Sequence, residues 1–457
     1  MIKKKIKTYD EAVEYLLNIP RFTKKNSMED TKAFLGRLGH PDKDLRILHV
    51  AGTNGKGSVC AYLRCMCEAA GLTTCVFTSP HLVDMRERFL IRGRMISKKR
   101  FLSAFLTVYE QIPWEVLSAE DPFNEAGALP EGFYHPTFFE YLFFMAMVTF
   151  REEAPDVCIL ETGLGGRLDA TNAVSRKDLA VITRISLDHM EYLGDTTELI
   201  AAEKAGIMAK GVPAVYLADD KPVAKVLLEA AKKKGAIPCP ISKDNYSLTK
   251  FRNKIIDFSL HTRYYKDISV TLHTYALYQM ENAALAVSAL EAWDKGRTIT
   301  AEHVKAGLAK CFWPGRMEEI AKNVFIDGAH NEDGVRAFLD SVRANRQKKE
   351  AILLFSAVKD KQYDKMLGEI ISSGLFTELY LVPLHSGRAT SLETLKELAI
   401  KLTKGLGLKI GTFDEVQDAM KTLLSQKKES QTLYVAGSLY LVGEVKAHLG
   451  VLKDDQL

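Results

Sequence analysis

The stretch His49-Val-Ala-Gly-Thr-Asn-Gly-Lys-Gly-Ser58 decides how this chain is read. It follows a short apolar run, Leu45 to Ala51, and leads into an apolar-periodic segment from Val59 to Ala70. That is the order of a strand, a tight loop and a helix. Such a loop is a phosphate cradle. Gly52, Gly55 and Gly57 let the backbone take positive φ and approach a ligand closely, so that successive N–H groups aim at phosphate oxygens at the positive end of a helix. Lys56 adds a point charge for the outer phosphates, and Ser58 offers a hydroxyl to Mg²⁺. The usual pattern is G-x-x-x-x-G-K-[ST], and here Gly57 separates the lysine from the serine. On the loop alone, a glycine turn that merely joins strand to helix fits as well.

Working outward, residues 8 to 39 carry helical periodicity, and Gly71 is placed to end the helix after the loop. A second strand, Thr73 to Thr78, ends in Ser79-Pro-His-Leu82. Ligands gather at strand ends in parallel sheets, which makes this turn a candidate substrate wall, although an ordinary Ser-Pro turn has the same letters. Pro113 to Tyr134, rich in Pro, Gly and acidic residues, is expected to be a surface excursion. Phe138 to Phe150 is the longest apolar block; it contains Glu140 and is too short to span a bilayer, so a buried helix is expected.

The strand Asp156 to Glu161 ends in Glu161-Thr-Gly-Leu-Gly-Gly-Arg-Leu-Asp-Ala-Thr-Asn172. A carboxylate at a strand end beside a glycine loop is where a metal-binding or water-organising group sits in phosphoryl transfer. A strand over Leu179 to Thr183 opens into Ser186-Leu-Asp-His189, and a helix over Thr197 to Met208 carries Glu203-Lys204. By residue type alone, His189 is a structural histidine and Lys204 a surface ion-pair partner. A strand at Val212 to Leu217, a helix through Val223 to Lys234, antiparallel segments near Ile255 to Leu260 and Ile268 to Leu272, and a helix from Gln279 to Trp293 follow. Asp294 to Thr300 has the composition of a linker, and the pattern then restarts, with strands expected at Val324 to Asp327, Ala351 to Ser356, Leu379 to Val382 and Leu433 to Ala436. Two domains are therefore expected, residues 1–296 and 297–457.

Length and composition set the limits. The chain has 457 residues, too many for one ordinary core, with 47% hydrophobic and 26% charged residues, as in globular proteins. Basic and acidic residues nearly cancel, 62 against 58, so no global field holds nucleic acid. The basic run Met1 to Lys7 is expected to be the solvated start of the first helix. No apolar segment follows its lysines, so neither a signal peptide nor membrane attachment is expected. Seven cysteines without paired metal spacing suit a reducing cytoplasm, and Cys60, Cys65 and Cys67 are expected as small core residues.

Several strings together resemble one family. They are the loop His49–Ser58, Thr78-Ser-Pro-His-Leu82, Glu161–Asn172, Ser186–His189, Glu203-Lys-Ala-Gly-Ile207, Trp313-Pro-Gly-Arg316, Asp327-Gly-Ala-His-Asn331 and Gly437-Ser-Leu-Tyr-Leu-Val-Gly443. In this order they resemble folylpolyglutamate synthase and its bifunctional dihydrofolate synthase form, within the Mur ligase superfamily, and Gly57 is part of that family's loop. The resemblance implies an α/β fold: a P-loop ATPase-like N-terminal domain and a smaller Rossmann-like C-terminal domain, closing on ATP and a folate. It implies a ligase that activates a carboxylate as an acyl phosphate and joins it to L-glutamate.

The resemblance also implies roles. Gly52, Thr53, Asn54, Gly55, Lys56, Gly57 and Ser58 hold the ATP phosphates; Ser58 and Glu161 bind one Mg²⁺, and His189 a second. Lys204 becomes carbamylated, and Arg316, Asp327 and His330 meet the nucleotide from the second domain. Asn282 lies beside the nucleotide, unless it is a plain helix-surface amide. Ser79, Pro80, His81 and Leu82 hold the folate or dihydropteroate. Ser438 contacts substrate or only caps its helix. A cytoplasmic monomer is expected. The rivals are another Mur-type amide ligase and a nucleotide-dependent binding protein; no Asn-Lys-x-Asp string of a guanine-specific switch is present.

Overall fold

The computed structural model describes residues 5–19, 26–117, 134–345 and 350–450. The first sheet contains β1 (Ile47–Ala51), β2 (Thr74–Phe77), β3 (Phe89–Ile91), β4 (Arg94–Met95), β5 (Val157–Glu161), β6 (Leu179–Ile182), β7 (Pro213–Leu217) and β8 (Ile237–Ile241). Their spatial order is β4-β3-β2-β5-β1-β6-β7-β8, parallel from β2 to β8. Helices cover both faces, so β1, β5 and β6 are buried along their whole length and read as continuous apolar runs. The loops leaving β5, β1 and β6 emerge side by side on one edge.

A smaller antiparallel sheet, β9 (Tyr246–Arg252), β10 (Ile255–Thr262) and β11 (Lys266–Leu272), packs into the same core. The third sheet contains β12 (Glu318–Ala321), β13 (Val324–Ile326), β14 (Glu350–Phe355), β15 (Glu378–Leu381), β16 (Lys409–Thr412) and β17 (Gln431–Ala436), in the order β12-β13-β17-β14-β15-β16. All its pairs are parallel except the β12 edge.

The apolar block forms the helix Phe138–Glu153, buried on nearly every side. Its one carboxylate in that block, Glu140, accepts from the Thr137 N–H and from Asn26 Nδ2, closing a capping box that starts the helix. Beside it, burial holds the His135 imidazole down to about 4, against a bond to the Pro136 carbonyl, while its Nε2 meets the Tyr15 hydroxyl. The unfolded imidazole titrates near 6.5, so as pH falls from about 6.5 to 4 the unfolded chain takes up the proton first and stability is lost. We expect His135 to account for about 3 kcal/mol of that loss. Urea unfolding at stepped pH should show a shallower slope in His135→Gln.

The structure departs from several expectations. The first helix, Tyr9–Asn18, starts at Thr8, which caps it, so residues 5–7 precede it. Residues 1–4 of the basic run and residues 118–133 of the expected surface excursion lie outside the described residues. The helix Ala301–Lys310, expected to open the second domain, buries Val304 and Leu308 in the core shared with the helix Lys56–Ala69. Strands β8, β9, β12 and β16 were hidden in the sequence by proline or by exposure. In β8, Ile237 donates to the Val212 carbonyl, so Pro238 and Pro240 alternate to the free edge, where no N–H is required.

Candidate active site

Chain direction brings the candidate residues together. Both main parallel sheets send their C-terminal loops to one cleft: those after β1, β2, β5 and β6 from one side and those after β13, β14 and β17 from the other. Two cavities adjoin there. One, of about 190 Å³, lies between the glycine loop and residues 327–334. The other, of about 680 Å³, lies between the Pro80–Val83 turn and the loops carrying Lys361, Arg388 and Ser438. Pro80, His189, His330 and Leu439 border both.

The glycine loop is held from beneath. Thr53 N–H donates to the Arg184 carbonyl at 2.8 Å, and Thr183 Oγ1 donates to the Asn54 carbonyl at 2.7 Å. Gly55 begins the helix Lys56–Ala69 at φ +91°, with no side-chain cap, so the first N–H groups of the helix are left for an anion. A Cβ on Gly55 would stand 2.2 Å from Asn282 Oδ1, which places Asn282 directly against the loop, buried and not on a helix surface. We expect Gly55→Ala to lose about 1–3 kcal/mol of stability through its backbone conformation and to weaken nucleotide binding. Titration calorimetry with a non-hydrolysable ATP analogue checks this. Gly57 is explained by the segment that connects the two main sheets: a Cβ there would meet the Trp313 ring at 2.8 Å. Two separated motifs thus touch at one point.

Lys56 Nζ lies 3.2 Å from the Thr53 carbonyl, within the loop. Ser58 Oγ accepts from Gln279 Nε2 at 3.0 Å. Glu161 is buried, and one of its oxygens accepts from the Ser79 N–H at 3.0 Å. Burial raises its pKa, with Lys56, the Ser79 N–H, Arg316 and Arg88 opposing. A buried carboxylate with no ion pair at contact distance among the described residues, next to a serine hydroxyl and a phosphate cradle, suits Mg²⁺, which takes few protein ligands and fills its shell with phosphate and water oxygens. Among the described residues no cluster of three or more His, Cys, Asp or Glu forms a cage of its own.

His189 follows β6 at φ +51°, with the Lys361 ammonium 3.4 Å from its Nε2. Burial holds it down to about 4, so it is a neutral imidazole. Lys204 is no surface residue: it is 4% exposed and donates to the Gly52 carbonyl at 2.7 Å, while Glu203 pairs instead with Arg167. Burial, reinforced by Lys56, holds its amine down to about 7.

From the second domain, Arg316 lines the smaller cavity and donates to the Gly315 carbonyl at 2.9 Å. Asp327, expected to meet the nucleotide, has both oxygens engaged by protein donors: Tyr278 Oη at 2.6 Å, Met317 N–H at 2.8 Å and Ala329 N–H at 2.9 Å. It fixes the loop that presents Arg316 and His330. His330 donates through Nδ1 to the Gly328 carbonyl at 2.7 Å, and burial holds it down to about 4, so its Nε2 faces the cleft unprotonated. Ser438 caps the helix Leu439–His448 by accepting from the Tyr440 N–H at 3.1 Å and also borders the larger cavity. Ser79 borders the smaller cavity; Pro80, which follows a cis bond, borders both; His81 and Leu82 border the larger one, where His81 Nδ1 accepts from Arg88 Nε at 2.8 Å.

Contacts that the sequence did not reveal hold the two sides together. Asn54 exchanges amide hydrogen bonds with Asn331 at 3.0 and 3.1 Å and donates to Asp333 at 2.8 Å. Asp188 forms a buried ion pair with Lys361 across the cleft. Burial opposes ionisation of Asp188, but Lys361, His189 and His330 hold its carboxyl below the usual range. Arg184, which pairs with Glu281 on its own side, comes within 3.9 Å of Asp333 across the cleft. Asp188 stood beside His189 in a quoted string, whereas Lys361, in Lys359-Asp-Lys361, has the letters of a solvated charge run.

These features define a Mur-type ligase. The profile of the Mur ligase middle domain matches residues 135–290, and that of the Mur ligase glutamate ligase domain matches residues 315–439. The dihydrofolate synthase/folylpolyglutamate synthase of Bacillus subtilis (strain 168) is 32% identical over 454 residues, covering 96% of this chain and 99% of its own length. The Escherichia coli (strain K12) enzyme of the same name is 30% identical, covering 95% and 93%. The chain belongs to the dihydrofolate synthase/folylpolyglutamate synthase family. Its fold superposes on Mycobacterium tuberculosis folylpolyglutamate synthase complexed with ADP at a TM-score of 0.85, with 27% identity over 97% of this chain and 98% of that one. Escherichia coli FolC in complex with DHPP and ADP gives 0.82, with the same identity and coverage. Among the described residues no helix is long and apolar enough to cross a membrane.

Proposed function

We propose that this protein uses ATP to join L-glutamate to the carboxylate of a folate, or to dihydropteroate, in the cleft between its two main sheets. The observation that carries this reading is the meeting of the two cavities at His189 and His330: a phosphate cradle on one side and a larger space with basic walls on the other. The reaction needs that junction, because two anions must be brought together. An oxygen of the substrate carboxylate attacks the γ-phosphorus, the bond to the bridging oxygen breaks, and ADP leaves. The amine of glutamate, having lost a proton, then attacks the acyl carbon; the bond to the phosphate oxygen breaks, giving an amide and phosphate.

Lys56, Arg316 and the open helix start neutralise the phosphates and hold them in line. Ser58 and Glu161 would hold Mg²⁺, and neutral His189 would serve a second ion once Lys361 moves aside. A bound Mg²⁺ supplies charge neutralisation and orientation of phosphate oxygens. Asp327 acts by positioning. The Ser79–Leu82 turn and Ser438 border the space for the organic substrates. A lysine amine held near neutrality is the form that adds CO₂, so Lys204 is suited to carbamylation, which would turn a buried cation into an anion beside the loop. Intact-mass measurement at pH 8 with added bicarbonate should show one CO₂ gained, and Lys204→Met should not gain it.

We also assign the chain two moving bodies. Since the helix Ala301–Lys310 packs in the first core, the hinge falls between Lys310 and Glu318 rather than at residue 296. The function is tested by phosphate release from ATP with L-glutamate and either tetrahydrofolate or dihydropteroate. Folded protein that released none with either acceptor would overturn it. A panel of peptide and cell-wall acceptors read by product mass separates a different Mur-type substrate.

A further inference from the structure

The Ser79–Leu82 turn, which borders both cavities of the cleft, is held at each end by a carboxylate. Glu161 takes the Ser79 N–H where the turn begins. Where it ends, Glu87, on the short helical turn Met85–Arg88, accepts three successive backbone N–H groups: Leu82 at 2.7 Å on one oxygen, and Val83 at 2.9 Å and Asp84 at 2.7 Å on the other. A capping box at the start of Met85–Arg88 needs only the Asp84 bond. The bonds to Leu82 and Val83 are additional, and they reach back into the turn. Hydrogen bonds to an ionised carboxylate are roughly twice as strong as neutral ones, so the three together fix the peptide planes they touch.

The grip falls where the first body meets the second. The Leu82 side chain packs against the second body's core, in the cluster that includes Leu441, Val442 and Val445 of the helix Leu439–His448. A Cβ on Gly443 of that helix would stand 2.3 Å from the Leu82 carbonyl oxygen. The Leu82 N–H is thus fixed by the first body, while its carbonyl and side chain lie against the second. Any displacement of Leu82 moves a wall of the larger cavity and the seat of the second body together.

We propose that Glu87 is a positioning residue for the acceptor carboxylate: by holding the Leu82, Val83 and Asp84 N–H groups it sets the Ser79–Leu82 turn, and with it the distance from the acceptor to the γ-phosphate. The proposal rests on the reading of that turn as the acceptor's wall. Glu87 borders neither cavity of the cleft but a void of about 60 Å³ beside the turn, shared with Trp313 and Arg316, so it acts through the turn and not on the reacting groups. Misplacement by about 1 Å at a reacting centre costs on the order of a hundredfold in rate. A glutamine at this position offers a single accepting oxygen, and its amide nitrogen, a donor, faces N–H groups that it cannot bind.

The test compares Glu87→Gln with the parent protein in steady-state turnover, varying ATP and the acceptor separately, with tetrahydrofolate and dihydropteroate as acceptors. The expected result is a fall of about tenfold to a hundredfold in kcat/KM for the acceptor, while the KM for ATP and the affinity for a non-hydrolysable ATP analogue stay within about twofold of the parent. Glu87→Asp keeps the charge but not the reach to all three N–H groups, and should fall between the two. Gly443→Ala pushes on the Leu82 carbonyl from the second body and should lower the same ratio, so it decides the matter if Glu87→Gln does not fold. Hydrogen exchange of the nucleotide-bound protein should show residues 82–84 exchanging faster in Glu87→Gln, a readout that needs no acceptor. An unchanged kcat/KM for the acceptor, an equal rise in the KM for ATP, or unchanged exchange at residues 82–84 would overturn the proposal. A parent protein that turns over with neither acceptor overturns the proposed function instead, and the exchange at residues 82–84 then decides the part of Glu87.

Discussion

Lys56→Ala is expected to abolish ATP-driven ligation, lowering phosphate release by at least about a thousandfold, the scale on which preorganised charge at a transferring group acts. The side chain lies within the loop, its ammonium against the Thr53 carbonyl, at the uncapped start of a helix. Nothing in the apolar core rests on it, so the fold should survive and circular dichroism should be unchanged. Two electrostatic consequences follow inside the cavity. Lys56 helps hold the Lys204 amine low and opposes the rise of the Glu161 carboxyl, so its removal moves both groups upward. Glu161 becomes a poorer Mg²⁺ ligand and Lys204 a poorer acceptor of CO₂, which adds to the loss of the phosphate contact. Lys56→Arg keeps the charge but not the compact ammonium and should recover little. Parent-level phosphate release by Lys56→Ala would remove the glycine loop from the mechanism.

The second large effect is expected at Asp188 and Lys361. Their side chains are 8% and 7% exposed, and they pair across the cleft between the loops after β6 and β14. Removing one partner from a buried pair strands the other charge, and losses of about 3–5 kcal/mol are typical. Asp188→Asn and Lys361→Met should each lower the urea midpoint strongly. The double variant should lose less than the sum of the two, because neither charge is left alone. Strict additivity in that cycle would mean that the pair does not form in solution. Since Lys361 also faces His189, both single variants should lose turnover even where they remain folded.

Much of the site was legible in the letters because its parts are local. A glycine loop between an apolar run and a helical repeat, a carboxylate closing a buried strand, and Asp327 to Asn331 after another strand each carry their meaning within a few residues. Parallel sheets do the rest: once the strands are parallel, their C-terminal loops must emerge on one edge. The same locality misled where neighbours in space decide. Lys204 and Asn282 have the letters of surface helix residues, yet the first lies under Gly52 and the second against Gly55. Asp327 has the letters of a nucleotide contact, yet three protein donors engage its carboxylate and tie it to the loop.

By itself the sequence determined the principal apolar strands, the phosphate loop and the candidates at the strand ends, since these follow from periodicity, glycine placement and residue chemistry along the chain. The tertiary structure alone decided that Gly57 makes room for Trp313 and that Asn54 and Asp188 bind the second body. Each of these is a contact between segments far apart in sequence. Nothing in a local run of residues encodes which distant side chain will lie against it; only the packing of the two bodies does.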